Sequence, residues 1–225
     1  MKYYAIIVAG GSGNRMQNSV PKQFLLLDGI PVLMHTLRAF CRSALNPEIL
    51  LVLHPSQQAY WAELCKTYHF TLLHQVINGG EQRFHSVENA LLTISGEGIV
   101  AIHDAVRPLV STQLIDKSFL IAEEKGNCVA GTTPTDSIRK LTGPDKSVAF
   151  NRKEFILVQT PQTFNVNIIK NAYKQSYRDE FTDDASVVEF SGIEIHMIAG
   201  ERENIKITYP EDLEIATIFL NKKSS

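Results

Sequence analysis

Four short apolar runs punctuate the first half of the chain, and a segment of helical periodicity follows each. The runs are Tyr3 to Ala9, Ile49 to Leu53, Thr71 to Ile77 and Ile99 to Ile102. The first two are continuous in β-prone residues and predict strands buried on both faces. Helical patterns fill the gaps. One opens at Pro31, with Leu33, Leu37, Phe40 and Ala44 on one face, and others cover 56–68 and 82–94. A fourth covers 112–125, with Ile115, Phe119 and Ala122 in step. This alternation predicts an α/β, Rossmann-like fold: a mostly parallel sheet flanked by helices on both faces. A length of 225 residues suits one domain, 1–225, and 44 % apolar content is enough to build its core.

The rhythm changes after Asn127. Cys128 to Pro134 reads as a strand, but Ser137 to Leu141 and Ser147 to Phe150 are short extended pieces joined by the turn residues Gly143-Pro144-Asp145. Residues 135–158 are therefore expected to form a β-arm inserted in the domain. Helical patterns return at 166–177 and 183–190. Ile193 to Ile198 and Asn204 to Thr208 read as strands, and Pro210-Glu211-Asp212 opens a last helix with acids where its dipole favours them.

Charge and cysteine usage narrow the function classes. Lys and Arg number 22 against 24 Asp and Glu, so the chain is neither a polybasic nucleic-acid binder nor an acidic tail. A phosphate pocket remains open to it, because a pocket needs only a few local cations. Cys41, Cys65 and Cys128 are widely spaced and odd in number, which argues against a zinc ribbon or a disulfide framework. The N-terminal apolar run passes straight into a glycine loop without a cleavage pattern, and no stretch approaches the length of a membrane span. A cytoplasmic location, with no membrane and no nucleic-acid partner, is the expectation.

Chemistry enters at Gly10-Gly11-Ser12-Gly13-Asn14-Arg15, directly after the first strand. Glycines there let backbone N–H groups cradle phosphate oxygens. The loop is not a P-loop, since no Gly-Lys-Ser/Thr follows. It also misses the dinucleotide fingerprint, because Met16 stands where the third glycine belongs. A plain tight turn would account for Gly-x-Gly alone. Arg15 and Lys22, the latter stiffened by Pro21, shift the balance toward a triphosphate site. Asp104 ends a buried strand at the ligand edge of such a sheet, where its carboxylate suits a metal or a ribose, against the plainer role of capping a turn before Pro108. His103 alternates to the opposite face and reads as structural.

The run Val8-Ala9-Gly10-Gly11-Ser12-Gly13-Asn14-Arg15-Met16, followed by Pro21-Lys22-Gln23-Phe24, resembles the opening of the sugar-phosphate nucleotidyltransferases. Within them the chain is most similar to the 2-C-methyl-D-erythritol 4-phosphate cytidylyltransferase family. The likeness continues through Gly79-Gly80-Glu81-x-Arg83-x-x-Ser86, His103-Asp104-Ala105-x-Arg107-Pro108 and Gln159-Thr160-Pro161-Gln162. It extends to Thr182-Asp183-Asp184-Ala185-Ser186 and Asn204-Ile205-Lys206-Ile207-Thr208.

The resemblance implies a nucleotidyltransferase fold and transfer of CMP from CTP to a polyol phosphate, with Mg²⁺ or another hard divalent cation. Arg15 and Lys22 would be the catalytic cations. Ala9, Gly10, Gly11, Gly13, Gly80, Glu81, Ser86, Asp104 and Ala105 would join them around CTP, with Asp104 as the metal ligand. Ser86 could instead bond its own helix backbone, and Glu81 stands where relatives usually carry Asp. Arg107, Ser137, Arg152, Thr182 and Lys206 would bind or position the acceptor. Ser137 takes the place of a threonine, and Thr182 could instead start a helix. The arm implies a homodimer whose arm residues complete the partner's site. Two alternatives accompany this reading: a ribitol 5-phosphate cytidylyltransferase, disfavoured by Thr182 to Glu189, and a catalytically dead nucleotide-binding regulator. A nicotinamide oxidoreductase is more distant.

Overall fold

A computed structural model describes residues 1–9 and 20–224. Its elements alternate as the apolar pattern requires. β1 (Tyr3–Val8) leads through a short antiparallel ribbon, β2 (Leu26–Leu27) and β3 (Ile30–Pro31), to α1 (Val32–Cys41). Then come β4 (Glu48–Leu53), α2 (Pro55–Thr67), β5 (Gln75–Asn78), α3 (Arg83–Thr93), β6 (Ile99–Asp104) and α4 (Thr112–Lys125). The second half holds β7 (Asn127–Thr132), β8 (Ile138–Gly143), β9 (Lys146–Phe150), β10 (Leu157–Asn165), α5 (Val166–Ala172), α6 (Asp184–Phe190), β11 (Met197–Ala199) and α7 (Glu211–Ser224).

Seven strands form one sheet in the order β11-β7-β10-β6-β1-β4-β5. All run the same way except β10, which pairs antiparallel with both β6 and β7. Strand alternation feeds two cores. Ala5, Ile7 and Ala101 face Leu37, Phe40, Trp61 and Phe119 of α1, α2 and α4. Tyr4, Ile6, Val100 and Ile102 face Phe84, Val87, Ile169 and Val187 of α3, α5 and α6. The chain leaves β1 toward β4 on one side and returns beside it as β6 on the other. That reversal opens a crevice at the carboxyl ends of β1 and β6, the place where open α/β sheets bind ligands. Ser111 caps α4 by accepting from the Leu114 N–H, and Gly126 ends it at φ +89°, where a side chain would be strained.

Several expectations change in detail. Thr71 to His74 lies outside the strand, which begins at Gln75. Asn204 to Thr208 forms no ladder; it is a strap pinned to the loop after β6 by the Ile207 N–H on Val106 O, 2.8 Å. The helix expected to reach residue 177 stops at Ala172; Tyr173, its C-cap, stacks on Phe84 at 4.5 Å and turns its hydroxyl inward to Asp184. The strand expected from Ile193 begins only at Met197. The polar stretch Leu157–Asn165, where no strand was expected, is central to the sheet. β8 and β9 pair with each other in a sheet of their own, with Leu141, Val148 and Phe150 exposed. Among the described residues no helix is long and apolar enough to cross a membrane, and the three cysteines are free.

Candidate active site

A cavity of about 710 Å³ opens over the carboxyl ends of β1, β4, β5 and β6. Ala9, Lys22, Gly80, Glu81, Ser86 and Asp104 all line it. Lys22 owes its place to its neighbours. It starts a single 3₁₀ turn closed by the Phe24 N–H on Pro21 O. Gln23 is buried and donates to Ala9 O at 3.0 Å and to Gln57 Oε1 at 2.8 Å. Phe24 stacks against Trp61. The turn is thereby tied to the end of β1. Gly80 sits so close to His85 that a Cβ would come within 2.4 Å of the His85 Cβ, so only glycine lets the chain pass. Ser86 accepts from the Gly80 N–H at 3.0 Å; it braces the loop and does not bond back to its own helix. Ala105 is fully buried, with its N–H on Val8 O and its carbonyl accepting from Thr36. It supports the cavity floor and lines neither cavity, contrary to the sequence expectation. Gly10, Gly11, Gly13 and Arg15 lie outside the described residues.

A second, smaller cavity of about 280 Å³ adjoins the first, lined among others by Arg107 and Thr182. The helix start expected near Thr182 is real, but Asp183 is its cap: it accepts from the Ser186 N–H within a capping box. Thr182 is left exposed at the cavity. Arg83, Asp104 and Lys206 line both cavities and stand between them.

Electrostatics at this junction centre on Asp104. One of its oxygens, Oδ2, accepts from Arg107 Nε at 3.2 Å and pairs with Lys206 Nζ at 3.0 Å; the other, Oδ1, lies 3.8 Å from Arg83 Nε. Burial alone would raise the carboxyl, but Lys206, Arg83 and Arg107 hold it well below the usual carboxylate range. Arg107 is fixed further by donating to Asn204 O at 2.8 Å. Asn204 is itself held by the Thr160 carbonyl, and the Thr160 hydroxyl receives the Asp104 N–H. Ser137 and Arg152 stand apart in this chain. Both are exposed and line neither cavity; Arg152 donates to Thr135 O.

His103 faces away from the cavities, fully buried against Phe40, with Nε2 on Arg107 O at 3.2 Å. Burial pushes its pKa down to about 4. A histidine that resists protonation in the folded state contributes stability above its unfolded pKa of about 6.5, and that contribution is lost as pH falls toward 4. Urea titrations should show roughly 3 kcal/mol lost from this group across that window. His103→Gln should flatten the slope there; an unchanged slope would assign the acid sensitivity elsewhere.

Neither Arg83, within the Gly79–Ser86 motif, nor Asn204, within an apparent strand, carries a sequence signal of its role. Their signal is tertiary: each matters through a partner at least forty residues away.

Two adjoining clefts, one in the size range of about 300–1,000 Å³ usual for small-molecule sites and one smaller, meet at a cluster of cations. Such a pair suits a transferase that joins two phosphorylated substrates, the chemistry of the nucleotidyltransferase class. The family model described as 2-C-methyl-D-erythritol 4-phosphate cytidylyltransferase matches residues 3–222, and the chain belongs to that family. The Phocaeicola vulgatus protein of that name is 49 % identical over 98 % of this chain and 100 % of its own length. Its Bacteroides thetaiotaomicron counterpart is 46 % identical with the same coverage. Among solved structures, the Francisella tularensis cytidylyltransferase is 29 % identical with a TM-score of 0.80, covering 97 % of this chain and 99 % of that one. The Thermus thermophilus enzyme is 28 % identical with a TM-score of 0.77, covering 98 % and 100 %. By family the chain is an enzyme, a cytidylyltransferase.

Proposed function

We propose that this chain transfers CMP from CTP to 2-C-methyl-D-erythritol 4-phosphate, giving 4-diphosphocytidyl-2-C-methyl-D-erythritol and pyrophosphate, in the cytoplasm. The observation that carries the reading is the shared wall of Arg83, Asp104 and Lys206 between a nucleotide-sized cavity and a smaller polar one. An acceptor phosphate in the smaller cavity faces the α-phosphate of CTP in the larger. Its oxygen attacks the α-phosphorus, a new P–O bond forms, and the bond to the β-phosphate oxygen breaks. The attacking oxygen is already anionic, so no strong base is needed. The obstacle is repulsion between two polyanions, which fixed cations relieve.

In this reading Lys22, with Arg15, neutralises the α-phosphoryl oxygens. Lys206 and Arg107 receive the acceptor phosphate, and Thr182 offers a hydroxyl to the polyol. Asp104 holds those two cations in register. It does not fit the metal-ligand role expected from the sequence, since three cationic side chains already face its oxygens. Among the described residues no group of three His, Cys, Asp or Glu could hold a metal. Mg²⁺ commonly binds substrate phosphates directly, so here it would come with the triphosphate, and no step above depends on it. The exposed apolar residues of the β8–β9 arm support a homodimer in which Ser137 and Arg152 serve the partner's acceptor site.

Pyrophosphate release with CTP and Mg²⁺ tests the reading, with 2-C-methyl-D-erythritol 4-phosphate and ribitol 5-phosphate as parallel acceptors. Turnover with the first alone is the expected result. Turnover with only ribitol 5-phosphate would overturn the acceptor assignment, and CTP binding without turnover on either would favour a regulator.

A further inference from the structure

Arg83 is the first residue of α3, and its guanidinium is anchored from behind. Nη1 donates to Asp184 Oδ1 at 2.8 Å and Nη2 to Asp184 Oδ2 at 2.5 Å. Asp184 is fully buried, and the Tyr173 hydroxyl donates to the same Oδ1 at 2.7 Å. Burial, with Asp184 beside it, raises the Tyr173 phenol well above its ordinary pKa, so it remains a donor. Chain distances of 101 residues between Arg83 and Asp184 and 11 between Tyr173 and Asp184 are spanned by this cluster.

A guanidinium carries five N–H donors, and the fork consumes two. Nε lies 3.8 Å from Asp104 Oδ1, beyond hydrogen-bond reach. Three donors therefore carry no hydrogen bond among the described residues. The side chain is 30 % exposed, at the wall common to both cavities. Charge points the same way. Three cations, Arg83, Arg107 and Lys206, converge on the single carboxylate of Asp104 at the shared wall, with Asp184 behind Arg83. A tie between α3 and α6 would need no arginine here, since a buried ion pair is often no more stabilising than apolar residues of similar volume.

We infer that Arg83 is a further phosphate-binding cation of the transfer reaction, contacting the acceptor phosphate where the two cavities meet, and that Asp184 and Tyr173 are the positioning residues that aim it. The inference rests on the transfer reaction proposed above. It adds a planar donor on the side of Asp104 away from Lys206, so the phosphate is held from two directions.

The test pairs Arg83→Met with Asp184→Leu, which removes both charges and leaves neither orphaned. Thermal melting establishes that the double variant folds. The expected result is a rise in the KM for the polyol phosphate and a fall in kcat/KM of roughly ten- to a hundredfold, with the KM for CTP little changed. Native kinetics in the folded double variant would overturn the inference and leave Arg83 as a structural tie. Should that variant not fold, Arg83→Lys decides, because it keeps the charge beside Asp184 and loses the planar fork. An acceptor-specific loss supports the inference, and native kinetics overturns it. The comparison is made with whichever polyol phosphate the native chain uses. Calorimetric binding of the polyol phosphate to native and variant chains gives the same comparison without turnover. Failure of the acceptor assignment is thereby separate from failure of the Arg83 role.

Discussion

Lys22→Ala should lower kcat by roughly 10²–10³-fold, the cost of about 2.7–4 kcal/mol typical of losing one fixed donor to a developing oxyanion. The buried Gln23 bridge to Ala9 and the Phe24 stack on Trp61 do not involve the lysine ammonium, so the turn survives the substitution. Melting temperature should stay near that of the native chain, and CTP should still bind. Single-turnover kinetics under saturating substrates are the measurement. A variant that keeps its native rate would place the α-phosphate out of reach of Lys22 and leave the loop after β1 to do the work alone.

Mixing inactive variants should restore activity. Arg152 lines neither cavity of its own chain, so in a homodimer with exchanged arms its work is done for the partner. Arg152→Ala alone should then be strongly impaired, as Lys22→Ala is. Mixed at equal amounts and allowed to exchange, half of the dimers carry one of each. Every such dimer holds one site with both residues intact, and random pairing in a symmetric dimer returns about a quarter of native activity. If Arg152 serves its own chain, mixing restores nothing; if it serves no site, Arg152→Ala alone keeps native activity. The outcome separates an exchanged arm from a hairpin that merely decorates the surface.

The parallel half of the sheet was legible because its residues carry the information locally. β1, β4 and β6 bury both faces, and continuous apolar runs announce this without reference to any partner. The glycines after β5 and the acid ending β6 mark the ligand edge for a similar reason: close backbone approach and a carboxylate at a strand end are properties of single positions. The helix start near Thr182 was legible too, because a cap acts within one turn, although the capping residue itself is Asp183.

What escaped was decided by contacts distant in sequence. β10 is Leu157-Val158-Gln159-Thr160-Pro161-Gln162-Thr163-Phe164-Asn165, a stretch with no continuous apolar run or clean alternation to announce a strand. It is a central strand because its polar side chains have buried work. Gln162 bonds Asp183 and the Ala185 N–H at the start of α6, Gln159 bonds the Glu201 carbonyl, and the Thr160 hydroxyl receives the Asp104 N–H. A buried polar group is tolerable only when it is satisfied, and its satisfaction here lies 21 to 56 residues away. The same holds for the strap carrying Lys206, which reads as a strand and is pinned by Asn204 and Ile207. The sequence by itself determined a parallel sheet, its ligand edge and the residue types waiting there. Tertiary structure alone decided that Asp104 faces three cations and that Arg83 stands between two cavities. Charges interact through space, and that space exists only once the chain is folded.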